Sequence, residues 1–396
     1  MPSSSPAALG GWLRVAPAVI ALAWGGNHFV PLLLLYRRVD GYTQVEIDLS
    51  LAVYVFGIVP GFVLAGAWSD RYGRKPVMLA GIAIGVVASI VLASTSSSLV
   101  GLCAGRFLSG ISVAVAMVVG SSWIKELSTA EGRGSSGARR ASVAMSLGFG
   151  GGAGVAGVLA QWAPWPTVLP YAVQILACLV ALAIVLRAAE TRLPDPSVAS
   201  LLGDVRVPPA VRPRFVRGIV PMAPWIFGAA ALSFAVGPSL VASRVGDYVV
   251  AFATLTTVIT LSVGTTVQLA STPIDRLLRG RSGTAGVLLC SAAAAVLIVA
   301  AVATVPWAVL VAAPLFGAGY GLCMVTGLTT VQGMATGGDL AGLTAVFYAL
   351  SYVGFFFPVV LAALAPIVGT AAVLGGFVVI SLACAAVSAR AIRRVA

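Results

Sequence analysis

Charge is scarce in this chain. Of its 396 residues only 9% are Asp, Glu, Lys or Arg, while 59% are hydrophobic. A soluble chain carries about a quarter charged residues. Here the deficit runs the whole length, which excludes a soluble domain of any size and makes the chain an integral membrane protein. Histidine is nearly absent: His28 is the only one. The twelve acidic residues all fall in polar segments or at the ends of apolar runs, none deep within one. One histidine and no deep carboxylate leave almost nothing from which to build an intramembrane enzyme or a metal centre. The absence of a nucleotide-binding loop argues against an ATP-driven pump. No cofactor is expected. The five cysteines, Cys103, Cys178, Cys290, Cys323 and Cys384, lie inside apolar runs without metal-ligand spacing and read as small packing residues.

What is present is a series of apolar runs, each near the 20 or so residues that span a hydrocarbon core. Twelve can be counted, at roughly 13–36, 46–67, 76–95, 98–123, 140–162, 167–187, 216–240, 246–270, 284–304, 307–333, 341–364 and 367–389. The first lacks a small-residue cleavage site after it and is expected to be kept as a helix. The basic residues fall in alternate connections: Arg14; Arg71, Arg74 and Lys75; Lys125, Arg133, Arg139 and Arg140; six arginines from Arg187 to Arg217; Arg276, Arg279 and Arg281; Arg390, Arg393 and Arg394. Only Arg37, Arg38 and Arg244 lie on the other side. That asymmetry predicts a multi-pass protein of the cell inner (plasma) membrane with both termini in the cytoplasm. It also explains the net charge of +12 without a nucleic-acid partner.

A proline-rich polar segment, 188–215, predicts a cytoplasmic linker between two six-helix bundles, 1–187 and 216–396. The halves echo each other: "SDRYGRKP" follows the second run and "PIDRLLRGRSG" the eighth, with Asp70-Arg71 and Asp275-Arg276 205 residues apart. Parallel repeats of this kind mark a transporter whose substrate site lies between its halves.

The pattern Gly66-x-x-x-Asp70-Arg71-x-Gly73-Arg74-Lys75 resembles the loop signature of the major facilitator superfamily, and the twelve runs and central linker extend the resemblance over the whole chain. It implies a fold of twelve transmembrane helices in two pseudo-symmetric bundles. It further implies that Asp70, Arg71, Arg74 and Lys75 form a conformational latch between helices two and three; the plainer alternative is a positive-inside anchor with a tight turn. The second copy lacks the glycine between its arginines. "GRFLSG" in the fourth run places the one clearly intramembrane cation, Arg106, about 12 Å deep. It resembles the superfamily's fourth-helix pattern associated with proton coupling; the alternative is an arginine snorkelling to the surface. "GFGGGAGVAG" in the fifth run resembles the exporters' antiporter signature at Gly148, Gly152 and Gly157, with Ala153 where that signature has proline and Ala156 where it has glycine, or else marks ordinary small-residue packing.

The first run, "WGGNHFVPLLLLY", sets Asn27 and His28 at the same depth as Arg106, and the family fold implies one polar cluster of these three, with Trp24 as a further cavity candidate. His28 titrates near neutral pH and is a candidate proton carrier, or a neutral packing histidine. Other candidates are Asp48 and Glu46 near the outer mouth of the second run, and Asp70. In the second half Trp225, Phe227, Tyr320, Met324, Tyr348 and Tyr352 suggest an aromatic, mostly uncharged cavity. The reading is a secondary active transporter working by alternating access, most simply a proton-coupled, drug-efflux-like exporter of a hydrophobic or weakly polar molecule, with multidrug resistance as its expected role. The expected partners are that small molecule, protons and lipid, with a monomer as the working unit. The alternative is an importer or uncoupled facilitator of a small metabolite.

Overall fold

The computed structural model describes residues 10–132, 134–195, 207–335 and 340–393. The centre of the expected linker, 196–206, lies outside the described residues, as do Arg133 and Arg394. Twelve apolar helices are formed among them: α1 Ala16–Asp40, α2 Gln44–Tyr72, α3 Arg74–Ser94, α4 Leu99–Ala130, α5 Ser136–Trp162, α6 Leu169–Val185, α7 Arg212–Leu240, α8 Ala242–Leu269, α9 Ser282–Ala303, α10 Pro306–Met334, α11 Gly342–Val368 and α12 Thr370–Arg390. Eleven are long and apolar enough to cross a membrane; α6 has 17 residues. Each observed helix coincides with one expected run, because a backbone in lipid must satisfy its own polar groups within the segment.

Three helix interruptions lie beside a proline, whereas Pro60 in α2 and Pro314 in α10 sit in unbroken helix. In α1 the regular helix stops at Asn27, a short 3-10 turn covers Val30–Leu32, and helix resumes over Leu33–Asp40. Pro31 lacks an N–H, and its ring crowds the carbonyl four residues back, at Asn27. Pro238 follows a π turn, Leu232–Val236, in α7, and Pro358 follows a 3-10 turn, Val353–Phe356, in α11. A further π turn, Ala116–Gly120, interrupts α4. Such turns often mark functional positions in helices.

The chain packs as two compact units. One holds the described residues of Met1–Phe29 and Phe56–Gly203, the other those of Val30–Val55 and Asp204–Ala396. The break in α1 therefore falls where the chain leaves the first unit. In the first unit Trp123, Leu22, Val19 and Met78 anchor the core; in the second, Phe215, Trp225, Phe316 and Phe347 do.

Close backbone contact sets the helix spacing within the second unit. A Cβ on Gly354 would lie 2.1 Å from the Pro224 carbonyl oxygen and 2.2 Å from the Gly228 nitrogen. Both are backbone atoms, so α7 and α11 would have to separate. Gly354→Ala is expected to destabilise the protein by about 1–3 kcal/mol, the usual cost of overpacking; a thermal unfolding scan that shows no drop in Tm would contradict this contact.

Candidate functional site

In the first unit α1 packs against α4, α5 and α6, and its broken centre carries the polar residues. The carbonyl of Gly26 faces the break, and Arg106 of α4 takes it, donating from Nη1 at 3.2 Å. The same guanidinium sits over the Phe29 ring, 4.9 Å from its centroid. Arg106 is 0% exposed, so it does not snorkel to the surface. His28 is equally buried, its ring set edge-on against Tyr171 of α6 with centroids 4.8 Å apart. Neither ring nitrogen has a hydrogen-bond partner among the described residues. Asn27 is buried alongside, and Trp24 is half-buried. The structure thus brings His28, Asn27, Trp24 and Arg106 to one region.

Gln174 of α6 was not visible as a site residue in the sequence. Its amide donates to the Ala21 carbonyl of α1 at 3.2 Å and accepts from the Ser89 hydroxyl of α3, tying three helices together beside Gly25. The signal was a lone amide in an otherwise apolar run. The glycine seam of α5 lies against the same helix. A Cβ on Gly148 would meet the Ile20 carbonyl at 2.5 Å, and one on Gly152 would meet the Trp24 Cα at 2.7 Å; Gly157 is also buried. Gly152→Val is expected to push α1 from α5 and to lower both the yield of folded protein and transport; unchanged yield and rate would contradict the seam.

The Asp70 loop is tied more widely than its local pattern suggests. Gly73 takes φ +96°, a region that side chains rarely adopt, and this turns the chain sharply from α2 into α3. Arg74, buried, donates to Ser69 Oγ at 2.7 Å, to Asp70 Oδ1 at 3.2 Å and to Glu126 Oε1 of α4 at 2.7 Å. Glu190, just beyond α6, accepts from the backbone N–H groups of Arg74 at 3.0 Å and Lys75 at 2.8 Å, capping the start of α3. Arg192 approaches Asp70 at 3.7 Å, and the Lys75 ammonium donates to the Leu186 carbonyl. Arg71 takes no part in these bonds; it lies over the Tyr72 ring. The sequence pointed to Asp70, Arg74 and Lys75 but not to Glu126 or Glu190, which stand 52 and 116 residues from Arg74. In the second copy Asp275 accepts from Ser282 Oγ at 2.6 Å instead.

In the second unit Tyr352 of α11 stacks on Phe227 of α7, centroids 4.1 Å apart, with Phe355 and Tyr54 of α2 tilted against the pair. Tyr54 and Phe355 were missed by the sequence reading. Tyr348 and Met324 border the apolar core, and Tyr320, in the space left by Gly264, is hydrogen-bonded to Gln268 and Thr265. Trp225 stands apart from this set, buried in the core against Phe357. At the far end of α2 from the Asp70 loop, Asp48 is 1% exposed. Its Oδ2 accepts from Gln44 Nε2 at 2.9 Å, and Gln44 Oε1 accepts from Arg37 Nη1 at 2.6 Å. Its Oδ1 has no hydrogen-bond partner among the described residues. Glu46, by contrast, is only half-buried and turned to Thr43.

The model of the Major Facilitator Superfamily matches residues 15–358. The chain belongs to that superfamily. Similar curated relatives include the multidrug resistance protein MdtL of Klebsiella pneumoniae, 37% identical over 79 residues, which are 20% of each chain. A chloramphenicol resistance protein of Pseudomonas aeruginosa is 37% identical over 86 residues, 22% of this chain and 20% of that one. A probable metabolite transport protein of Saccharomyces cerevisiae is 36% identical over 126 residues, 32% and 24%. The chain thus matches only about a fifth to a quarter of these relatives' length. Among solved structures, a mutant of the nucleoside transporter NupG has a TM-score of 0.73 at 12% identity, covering 96% of this chain and 98% of that one. A POT family transporter in complex with 5-aminolevulinic acid also has 0.73 at 12%, covering 98% and 96%. Those two likenesses are of fold. The superfamily match and the eleven helices long and apolar enough to cross a membrane make the protein a multi-pass membrane member of that superfamily.

Proposed function

We propose that this superfamily member is a proton-coupled exporter of hydrophobic or weakly polar organic molecules, acting by alternating access as a monomer, with both termini in the cytoplasm of the cell inner membrane. The observation that carries the coupling is Asp48. A carboxylate costs more to bury charged than neutral, so a fully buried one with an unpartnered oxygen is suited to taking a proton during the cycle. His28 offers less, since its ring is engaged by Tyr171 and stands within electrostatic reach of the Arg106 cation. The buried seam of α5, the aromatic set around Tyr352 and the partial matches to drug-resistance proteins support export of an apolar substrate. In this reading the Asp70–Arg74–Lys75 loop is the latch governing conformational exchange, with Glu126 and Glu190 as its anchors. The basic connections support the stated orientation.

The test uses proteoliposomes loaded with a pH-sensitive dye, an imposed proton gradient, and a panel of lipophilic cations and neutral drugs. Substrate-triggered proton movement is expected, and Asp48→Asn is expected to abolish it. Movement undiminished in that variant would remove Asp48 from the coupling path. Substrate crossing without protons would favour the second reading, an uncoupled facilitator of a small metabolite, which the yeast relative supports.

A further inference from the structure

Within the second unit the end of α1 is held by two neighbouring arginines that face different ways. Arg37 points to Gln44, and through it to Asp48. Arg38 reaches the irregular start of α8, donating from Nη2 to the Gly246 carbonyl at 2.8 Å and pairing with Asp247 at 3.4 Å. Both side chains leave the same short helix, Leu33–Asp40, which together with Val30–Leu32 rests on α8. We propose that Asp48, Gln44 and Arg37 form a relay that reports the protonation of Asp48 to the Arg38 clamp, so that proton uptake loosens the end of α1 from α8. This rests on the reading of Asp48 as the proton-accepting residue.

The physical case is one of unequal strengths. The Gln44 amide lies between an anion and a cation, donating to the carboxylate and accepting from the guanidinium. Both bonds are charge-assisted, which makes them roughly twice as strong as neutral ones. When Asp48 is neutral, the bond at its end loses that assistance, and Arg37, bonded to the Gln44 oxygen throughout, loses the nearby anion that polarises this amide and attracts its charge. The clamp itself is weak: the side chains of Arg38 and Asp247 are 47% and 99% exposed, and exposed pairs contribute little. A modest change at the buried end can therefore decide whether the exposed end holds. The other charged and titratable groups on the elements packed here include Tyr36 and Asp40 on α1, Tyr42 in the connection to α2, Glu46 on α2, whose carboxylate is taken by Thr43, and Arg244 and Tyr248 on α8. Tyr352 of α11 meets α2 at Tyr54, six residues beyond Asp48.

The experiment places a spin-label pair at Val39→Cys and Tyr248→Cys, both highly exposed positions, in the full-length protein in nanodiscs. The half-buried Cys103 and Cys384 are replaced by alanine. Double electron–electron resonance should give a short distance at alkaline pH that shifts to longer values at acid pH. Asp48→Asn should show the longer distance at both, and Gln44→Ala should lose the shift although Asp48 is intact. A pH-dependent shift that survives in either variant overturns the relay. Gln44→Ala, checked for folding by gel filtration, decides the matter if Asp48→Asn does not fold. The proton-flux assay separates the two readings. Flux lost in Asp48→Asn with the shift intact leaves coupling standing and removes the relay. A wild-type shift abolished by both variants, with no flux for any substrate, removes coupling and keeps the relay.

Discussion

Arg74→Ala is expected to lower transport by more than tenfold while leaving substrate affinity near its wild-type value. Among the described residues Arg74 is the one cation hydrogen-bonded to both Asp70 and Glu126, and Glu190 caps the backbone at the same residue. Its removal leaves carboxylates from α2, α4 and the segment after α6 crowded together without that counter-charge. Breaking a fully buried pair costs about 3–5 kcal/mol. Glu126 and Asp70 are partly exposed, at 34% and 41%, so solvent screening reduces the expected loss to about 2 kcal/mol. The fall should appear in the thermal unfolding midpoint and in the transport rate, with ligand binding preserved because the loop governs exchange between states in the proposed mechanism. Arg74→Lys should recover only part, since an ammonium cannot reproduce the guanidinium's simultaneous bonds to three partners. Equal loss of binding and rate would count against a latch and for a simple structural anchor.

The second large effect is expected at Arg106. Arg106→Ala deletes a charged hydrogen bond to the Gly26 carbonyl and the contact with the Phe29 ring. A hydrogen bond from a charged group contributes about 1.5–3 kcal/mol and a desolvated cation–π contact about 2. The helix break next to His28 would lose the group that bonds the buried Gly26 carbonyl. A loss of about 3 kcal/mol in the working geometry corresponds to roughly a hundredfold fall in transport. The variant should remain folded in detergent, since α1 keeps its glycine seam with α5. Transport within a few-fold of wild type would show that the break in α1 does not depend on this arginine.

The helices were legible in the sequence because the requirement they obey is local. Each apolar run must bond its own backbone in lipid, so hydropathy located all twelve, including the short α6. The break in α1 at Pro31 was not read from the sequence, because Pro60 and Pro314 sit within unbroken helices and a proline alone does not fix where a helix is interrupted. Asp70, Gly73 and Arg74 were legible through their spacing, which places them in one turn. The aromatic set was only partly visible: Phe227 and Tyr352 do stack, but Trp225 is turned into the core. Trp225 and Phe227 are two positions apart on α7, and the side a helix presents cannot be read from a run that is apolar all round. The same ambiguity concealed Tyr54, which looked like any other residue of an apolar helix.

By itself the sequence determined the class of protein, the number and position of its helices, and the turn that carries the Asp70 pattern. All of these follow from hydropathy and from constraints acting within a few residues. Tertiary structure alone decided that Arg74 meets Glu126 and Glu190, that Arg106 caps the carbonyl of Gly26, that Gln174 ties α1 to α3, and that Asp48 is buried behind Gln44. Each depends on how helices rotate and pack. In helices apolar on every face that rotation is set by small-residue contacts between distant segments, which no local pattern records.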